Sequence, residues 1–425
     1  LLLTKRKKIW RHSFYGEYFV LDLPTKTVFP ITKNNDDLRN VKLSPDGTKV
    51  AYVRKDNNLY IFDLNRKKEK RLTKNGSSTY LNGHFGWVYE EEFGSYDAYR
   101  WSPNSKYIAY WQVDQSKVPV FRMFDELGLY PKVQEIHYPK AGQTNPTMSI
   151  FVVDINRGRS KKMDIKDSND KYYPWMKWIN NESLIVMRMN RLQNFWEFLT
   201  VSRSNGKSTA GLTESDPNGW VDLHRNYRFL ENGNILWISE RTGWKHLFLH
   251  SKNGKLINQI TDGEWEVKRI VHIDENKNKI YFTSNKESVF ETRFYSINFD
   301  GSGLKLLTNE KGSHSIKVLP EGDSFIDSFS SLKQPQKHLL KDMNGKLIKV
   351  IAETDKSQFE IYDWTYPQIM QFKSDDGTTT LDGIVTFPPD YQKNKRYPVI
   401  VYGYGMPGTQ IVNDRWGSSW NQYLA

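Results

Sequence analysis

Short apolar runs alternate with polar residues at period two along most of this chain, and turn-forming residues cut the runs into pieces of strand length. "VKLSPDGTKVAYVRKDNNLYIFDL" (residues 41–64) shows the unit: an apolar strand, a Ser-Pro-Asp-Gly turn, a second apolar strand, and a third ending on polar residues. "YRWSPNSKYIAYWQVD" (99–114) repeats it clearly. Weaker copies begin at "MKWINNESLIVMRM", "YRFLENGNILWIS", "VHIDENKNKIYFTSN" and "IKVLPEGDSFIDSFS", so that turns fall at Asp46, Asn104, Asn181, Asn232, Asn276 and Glu321. Their spacing is within or above the period of about 40 to 50 residues of a propeller blade, and each copy reads as three or four short strands. The pattern predicts an all-β propeller. Helical periodicity of any length is scarce.

Two stretches depart from the repeat. "FRMFDELGLYPKVQEIHYPKAGQTNP" (121–146) is too rich in Pro, Gly and polar residues for a buried strand and is expected to be an excursion from a blade. Beyond Tyr366 the pattern changes. A strand pair is expected around Asp375-Asp376-Gly377, then a stop at Pro388-Pro389, then a continuous apolar run from Pro398 to Tyr402. Such a run predicts a strand buried on both faces, as in an α/β sheet. The expected organisation is a propeller over 1–365 and the opening of an α/β domain over 366–425.

Composition narrows this picture. Aromatics are 14% of the chain (24 Tyr, 22 Phe, 14 Trp), which suits rings packed on pleated surfaces. Charged residues at 26% give no sign of disorder, and no stretch approaches the ~18 consecutive apolar residues of a membrane-spanning helix. The absence of Cys removes disulfide, zinc-thiolate and thiol-nucleophile chemistry and leaves the redox compartment open. The net charge of +12 comes from 61 Lys and Arg spread among 49 acids; the basic runs are short, so a solvated Lys-rich surface is the better reading than nucleic-acid binding. The opening "LLLTKRKKIW" has no Met and no charged-then-apolar leader, so a secretory signal cannot be judged; the chain reads as starting mid-protein.

Against this basic background "WVYEEEF" (87–93) sets Glu90, Glu91 and Glu92 side by side. Adjacent like charges disfavour ionisation, so either solvent screens these groups or a cation comes to them. No G-x-S-x-G elbow accompanies them: "FGSYD", "KGSHS" and "WGSSW" all lack the flanking glycine pair. No HExxH, P-loop or metal-spaced His cluster occurs among the 9 His. Any catalysis this chain serves is expected to need atoms outside it.

Four separated stretches carry a family resemblance: "WRHSFYGEY" (10–18), "GWVYEEEF" (86–93), "YPKAGQTNPTMSIFVVD" (138–154) and "FPPDYQKNKRYPVIVYGYGMPGTQ" (387–410). In sequence and order they resemble the dipeptidyl peptidase IV branch of the prolyl oligopeptidase family of serine peptidases, and with the blade repeat they cover essentially the whole chain. The resemblance implies an eight-bladed propeller, its first blade incomplete here, followed by the start of an α/β-hydrolase domain whose Ser, Asp and His triad is expected beyond Ala425. It implies release of N-terminal Xaa-Pro, less readily Xaa-Ala, dipeptides. Carried over residue by residue, Glu91 and Glu92 would clamp the substrate amine, Arg11 would bind a backbone carbonyl, and Tyr404 would donate to the oxyanion, with Tyr402 the competing assignment. His12 is expected to pack, and Glu90 to cap or salt-bridge its own short helix. Two departures stand out: Gly405-Met406-Pro407 follows Tyr404 where Gly-Gly-Pro or Ala-Gly-Pro is usual, and "FGSYDAYRWSP" is one residue shorter than the expected spacer. No cofactor and no metal are implied. A peptide substrate with a free N-terminus, the C-terminal hydrolase portion, a homodimer built partly through the "YPKAGQTNP" excursion, and a periplasmic, secreted or cell-surface location are. The alternatives are a prolyl tripeptidyl aminopeptidase and a non-catalytic propeller that binds peptides or proteins.

Overall fold

A computed structural model describes every residue except 167–169, 224, 225, 406, 407 and 418. The chain packs as two compact units, Leu1–Leu223 and His224–Ala425. Both are built from small antiparallel sheets whose strands mostly follow chain order. In the first unit a three-stranded sheet (Leu2–Lys8, Phe14–Leu21, Val28–Pro30) precedes a four-stranded one (Arg39–Leu43, Lys49–Val53, Leu59–Asp63, Lys68–Arg71). A five-stranded sheet follows (Tyr80–Asn82, Tyr99–Trp101, Tyr107–Asp114, Thr147–Asp154, Arg159–Lys162), then another of four strands (Lys171–Trp178, Ser183–Asn190, Phe195–Ser202, Ser208–Ser215). The second unit contains three four-stranded sheets, which start at Tyr227–Phe229, Val267–Asp274 and Ser313–Val318. The described helices are short, of 7, 4 and 6 residues.

Five of the six turns read from the sequence, at Asp46, Asn181, Asn232, Asn276 and Glu321, join the first strand of a sheet to its second, and Asn104 joins the second and third strands of the five-stranded sheet. At Asp46 the chemistry of the turn is plain: its Oδ1 accepts from Ser44 Oγ (2.6 Å) and Thr48 N (3.0 Å). Burial pushes this carboxyl up, but those hydrogen bonds outweigh it and hold it at about 2. Ser374, Asp376 and Thr378 repeat the arrangement in the hairpin of Gln368–Lys373 with Thr380–Val385.

Burial within a sheet follows strand position. Val50, Ala51, Tyr52 and Val53 on the second strand of the four-stranded sheet are at 0% exposure, whereas its fourth strand, "KEKR", is almost wholly exposed. Ile235–Ser239 and His246–His250 are likewise buried throughout. Middle strands covered on both faces explain why apolar residues run consecutively there, and the charged fourth strand Lys68–Arg71 guards an open edge. Each buried Val, Leu, Ile or Phe contributes about 1.5–3 kcal/mol, so these strands dominate cohesion.

The excursion forms an exposed hairpin of Val120–Asp125 paired with Lys132–His137, with Leu127, Leu129 and Tyr130 at 100%, 93% and 80% exposure near its tip. The run from Pro398 to Tyr402 differs from expectation. It carries no strand pairing, and Val399, Ile400, Val401 and Tyr402 are all exposed. Apolar composition favours burial, but strand structure also needs a partner for its backbone N–H and C=O groups, and no described strand pairs with this run.

His250 adds a pH dependence to the second unit. Burial, with the Arg241 charge as a smaller cause, pushes its imidazole down to about 4. From about pH 6.5 down to 4 the unfolded chain therefore binds a proton that the folded chain refuses, so this contribution to stability is complete above about 6.5 and lost on acidification. The melting temperature is expected to fall between pH 7 and 4.5, and His250→Gln to flatten part of that slope; calorimetric slopes that match in the two proteins would exclude the assignment.

Candidate functional site

The triple-Glu stretch forms helix α1 (Trp87–Phe93). Seven residues are too few for a helix to stand alone in water, so packing must hold it. Tyr89, 1% exposed, supplies the anchor: its ring stacks on Phe85 with centroids 4.9 Å apart, and its hydroxyl accepts from Tyr173 N at 2.9 Å. Phe85 in turn packs against fully buried Trp111, whose Nε1 donates to Tyr173 O at 2.9 Å. Trp87 packs on Tyr138 in a tilted pair, ring centroids 4.5 Å apart, and ties the start of α1 to the base of the exposed hairpin.

Glycines fit both ends of α1 to this seat. A Cβ at Gly86 would lie 2.9 Å from Gln115 Oε1, and Gly94 closes the helix at φ 59°, ψ 26°, with its N–H donating to Tyr89 O. The chain then turns into Ser95, whose N–H also reaches Tyr89 O at 2.9 Å, so the spacer leaves the helix tightly.

The three acids then have three different fates. Glu91 and Glu92 are exposed, whereas Glu90 is buried at 1% exposure. Arg11 stands on the loop joining Leu2–Lys8 to Phe14–Leu21, and its guanidinium grips Glu91 as a fork: Nη2 to Oε1 at 2.8 Å and Nε to Oε2 at 3.2 Å. The exposed Glu92 carboxylate makes no hydrogen bond or ion pair with any described side chain or backbone group. Of the two exposed carboxylates one is neutralised by Arg11, which leaves one formal negative charge facing solvent. The sequence posed a choice between screening and a cation; the structure supplies the cation at Glu91.

Glu90 corrects an expectation. It does not serve its own helix; its Oε1 accepts from His12 N at 2.6 Å and Ser13 N at 2.8 Å, across 78 and 77 residues of chain. A cap or an i,i+4 pair is the default for an acid in a first turn, but the backbone of a distant loop offers two donors that α1 cannot. His12 is exposed and makes a surface ring contact with Tyr96, with centroids 6.1 Å apart.

Arg39 was not singled out by sequence. It is 3% exposed, and its guanidinium carbon lies over the Tyr15 ring, 5.5 Å from the centroid. Burial lowers its basicity, which Tyr15 and Glu90 partly restore. The strand register shifts between Arg39 and Lys42, and Asn40 takes φ 55°, a bulge that turns the chain locally. Asn40 Nδ2 donates to Gly83 O and Tyr96 O, both at 3.1 Å, and so ties the bulge to the segments flanking α1.

Tyr404 belongs to the second unit, on an irregular segment, and is 53% exposed; Tyr402 is 80% exposed. Met406 and Pro407, which mark the departure after Tyr404, lie outside the described residues. Among the described residues no group of three or more His, Cys, Asp or Glu could hold a metal ion, and no helix is long and apolar enough to cross a membrane. What the first unit presents is two exposed carboxylates and a guanidinium on a rigid seat. Such a set can accept hydrogen bonds from an ammonium group and donate them to a carbonyl.

Comparison with known proteins bears on the chain as a whole. The family model for the dipeptidyl peptidase IV (DPP IV) N-terminal region matches residues 1–336. Dipeptidyl peptidase 4 of Trichophyton rubrum is 29% identical over 98% of the chain, and that of Arthroderma otae 30% over 98%. The chain spans 56% of the length of each. The crystal structure of Porphyromonas gingivalis dipeptidyl peptidase 4 superposes with a TM-score of 0.91 at 27% identity, covering 99% of this chain and 60% of that one. A nearly all-β chain of small antiparallel sheets, carrying α1 and the Arg11 loop, thus matches that family's N-terminal propeller region: the chain belongs to the dipeptidyl peptidase IV family.

Proposed function

We propose that this chain is the substrate-measuring part of a serine exopeptidase that releases N-terminal Xaa-Pro, less readily Xaa-Ala, dipeptides. The observation that carries the reading is the fork of Arg11 on Glu91 with Glu92 beside it and open to solvent. A peptide α-amine has a pKa of about 7.7 to 8.0 and is largely cationic at neutral pH. Glu91 and Glu92 accept its charge-assisted hydrogen bonds, and Arg11 donates to a backbone carbonyl of the same substrate. With the amine fixed, the scissile bond falls at a set distance along the peptide, so the enzyme counts residues from the terminus.

The remainder of the reading rests on the family. The propeller is eight-bladed, and residues 366–425 open a hydrolase domain that continues beyond Ala425 with the Ser-His-Asp triad. The serine oxygen bonds to the carbonyl carbon, the peptide C–N bond breaks, and the leaving amine takes its proton from the histidine; water then hydrolyses the ester. Tyr404 donates its hydroxyl to the oxyanion, a contribution of about 2.7–4 kcal/mol for one such donor. The apolar tip of the exposed hairpin suits it to self-association, in line with a homodimer. An extracytoplasmic location completes the reading.

Assayed in the whole protein that carries this chain, Glu91→Gln and Glu92→Gln should each lower kcat/KM for a Gly-Pro chromogenic substrate at least tenfold. Unchanged kinetics in both would remove the amine clamp. Acetylating the substrate amine should abolish turnover to a similar degree; fast cleavage of the acetylated peptide would indicate an endopeptidase, and release of three residues from a longer peptide the tripeptidyl alternative. Absence of any peptidase activity would leave the binding propeller.

Tyr404→Phe should lower kcat by about a hundredfold or more with little change in KM. A raised KM at constant kcat would instead assign Tyr404 to binding and reopen Tyr402 for the oxyanion.

A further inference from the structure

Of three consecutive acids the middle and last face solvent, where a carboxylate costs little, while the first is buried at 1% exposure. Removing a carboxylate from water costs several kcal/mol unless hydrogen bonds and an opposite charge replace its hydration. Glu90 has both. Its Oε1 takes the N–H groups of His12 and Ser13, at 2.6 and 2.8 Å, and Arg39, itself buried, supplies positive charge. The replacement is incomplete: Glu90 Oε2, Ser13 Oγ, and Arg39 Nε and Nη2 are buried atoms without a hydrogen-bond partner. A group that retains such a cost is poorly explained by stability alone, since an apolar side chain of similar volume would fill the same space more favourably.

The two N–H groups that Glu90 holds belong to the residues directly after Arg11, and Glu90 directly precedes Glu91. The Arg11 loop and α1 are thus joined one residue away from the fork they form. That join is needed, because the fork cannot position itself. The Arg11 side chain is 67% exposed, and an exposed ion pair contributes only about 0–1 kcal/mol while it must restrain two flexible side chains. Backbone N–H bonds to a buried carboxylate are stronger and shorter in reach, so they set where the loop lies; the guanidinium then needs only to extend.

We propose that Glu90 is a positioning residue: through the His12 and Ser13 amides it fixes the Arg11 loop on α1. The inference rests on the amine-clamp reading and deepens it. Glu90 touches no substrate. It acts through Arg11, and its loss is felt as loss of Arg11's contribution. The bulge at Asn40 belongs to the same device, since it ties the strand that bears Arg39 to both flanks of α1.

The test is a double-mutant cycle in the whole protein. Glu90→Gln keeps the shape but removes the charge, and should lower kcat/KM for a Gly-Pro substrate about tenfold, with KM rising more than kcat falls. Made in an Arg11→Ala background, the same substitution should cost less than twofold, while its effect on melting temperature is the same in both backgrounds. A structural role without positioning predicts the opposite, namely losses in kcat/KM that multiply; that result, or full activity in Glu90→Gln alone, overturns the proposal. If Glu90→Gln does not fold, Glu90→Asp takes its place in the cycle, since it keeps the charge and withdraws it by one methylene. Glu91→Gln and Glu92→Gln serve as controls: their activity fails to drop only if the clamp reading itself is wrong, whereas multiplying losses at Glu90 and Arg11 beside inactive Glu91 and Glu92 variants sink the positioning role alone.

Discussion

Strands covered on both faces set the terms for everything else in this chain. A middle strand such as Lys49–Val53 can be apolar on either side only because its own sheet satisfies its backbone and its faces meet other apolar surface. Little room for charge is left inside such a sheet. Chemistry is therefore pushed to connections and edges, and both parts of the candidate site lie on connections: the Arg11 loop between two strands of one sheet, and α1 between two strands of another. Each connection inherits its position from rigid strands at both ends.

Connections are exposed, however, and exposure works against precision. The structure answers with a graded seat. Aromatic stacking through Tyr89, Phe85 and Trp111 holds α1 to the core; Glu90 and the amides of His12 and Ser13 hold the loop to α1; the Arg11–Glu91 fork is the last and most solvated layer. Interaction strength falls from the apolar contacts outward, while chemical specificity rises. The order is physically sensible, because the outermost groups are the ones that a ligand must be able to reach.

Much of this was legible in the sequence. The six turns carry Asn, Asp, Gly or Pro where a short connection needs them, and alternation at period two marks the strands they join, so the sheets could be read from local pattern. Glu91 and Arg11 were legible through motif resemblance, although 80 residues separate them. Glu90 was not, since three identical letters in a row cannot say which carboxylate points inward; that depends on the angle at which α1 meets its seat, which Tyr89 decides. Arg39 left no local signal either, because it stands beside a register shift at Asn40 that breaks the alternation of its strand. The run Pro398 to Tyr402 misled for the converse reason: hydrophobic content reports a wish for burial, whereas pairing depends on neighbours the run itself does not encode.

With Glu91 already engaged by Arg11, the proposed clamp carries a cation of its own before any substrate arrives, and an incoming amine competes with it for the same oxygens. Binding is then an exchange, in which the guanidinium must be compensated as the ammonium takes its share. A ligand offering only positive charge gains little from the exchange; one that offers an ammonium together with a carbonyl for Arg11 to turn to satisfies all three groups at once. Selectivity for a peptide end over a free cation would follow from that rivalry, without any contact to a side chain.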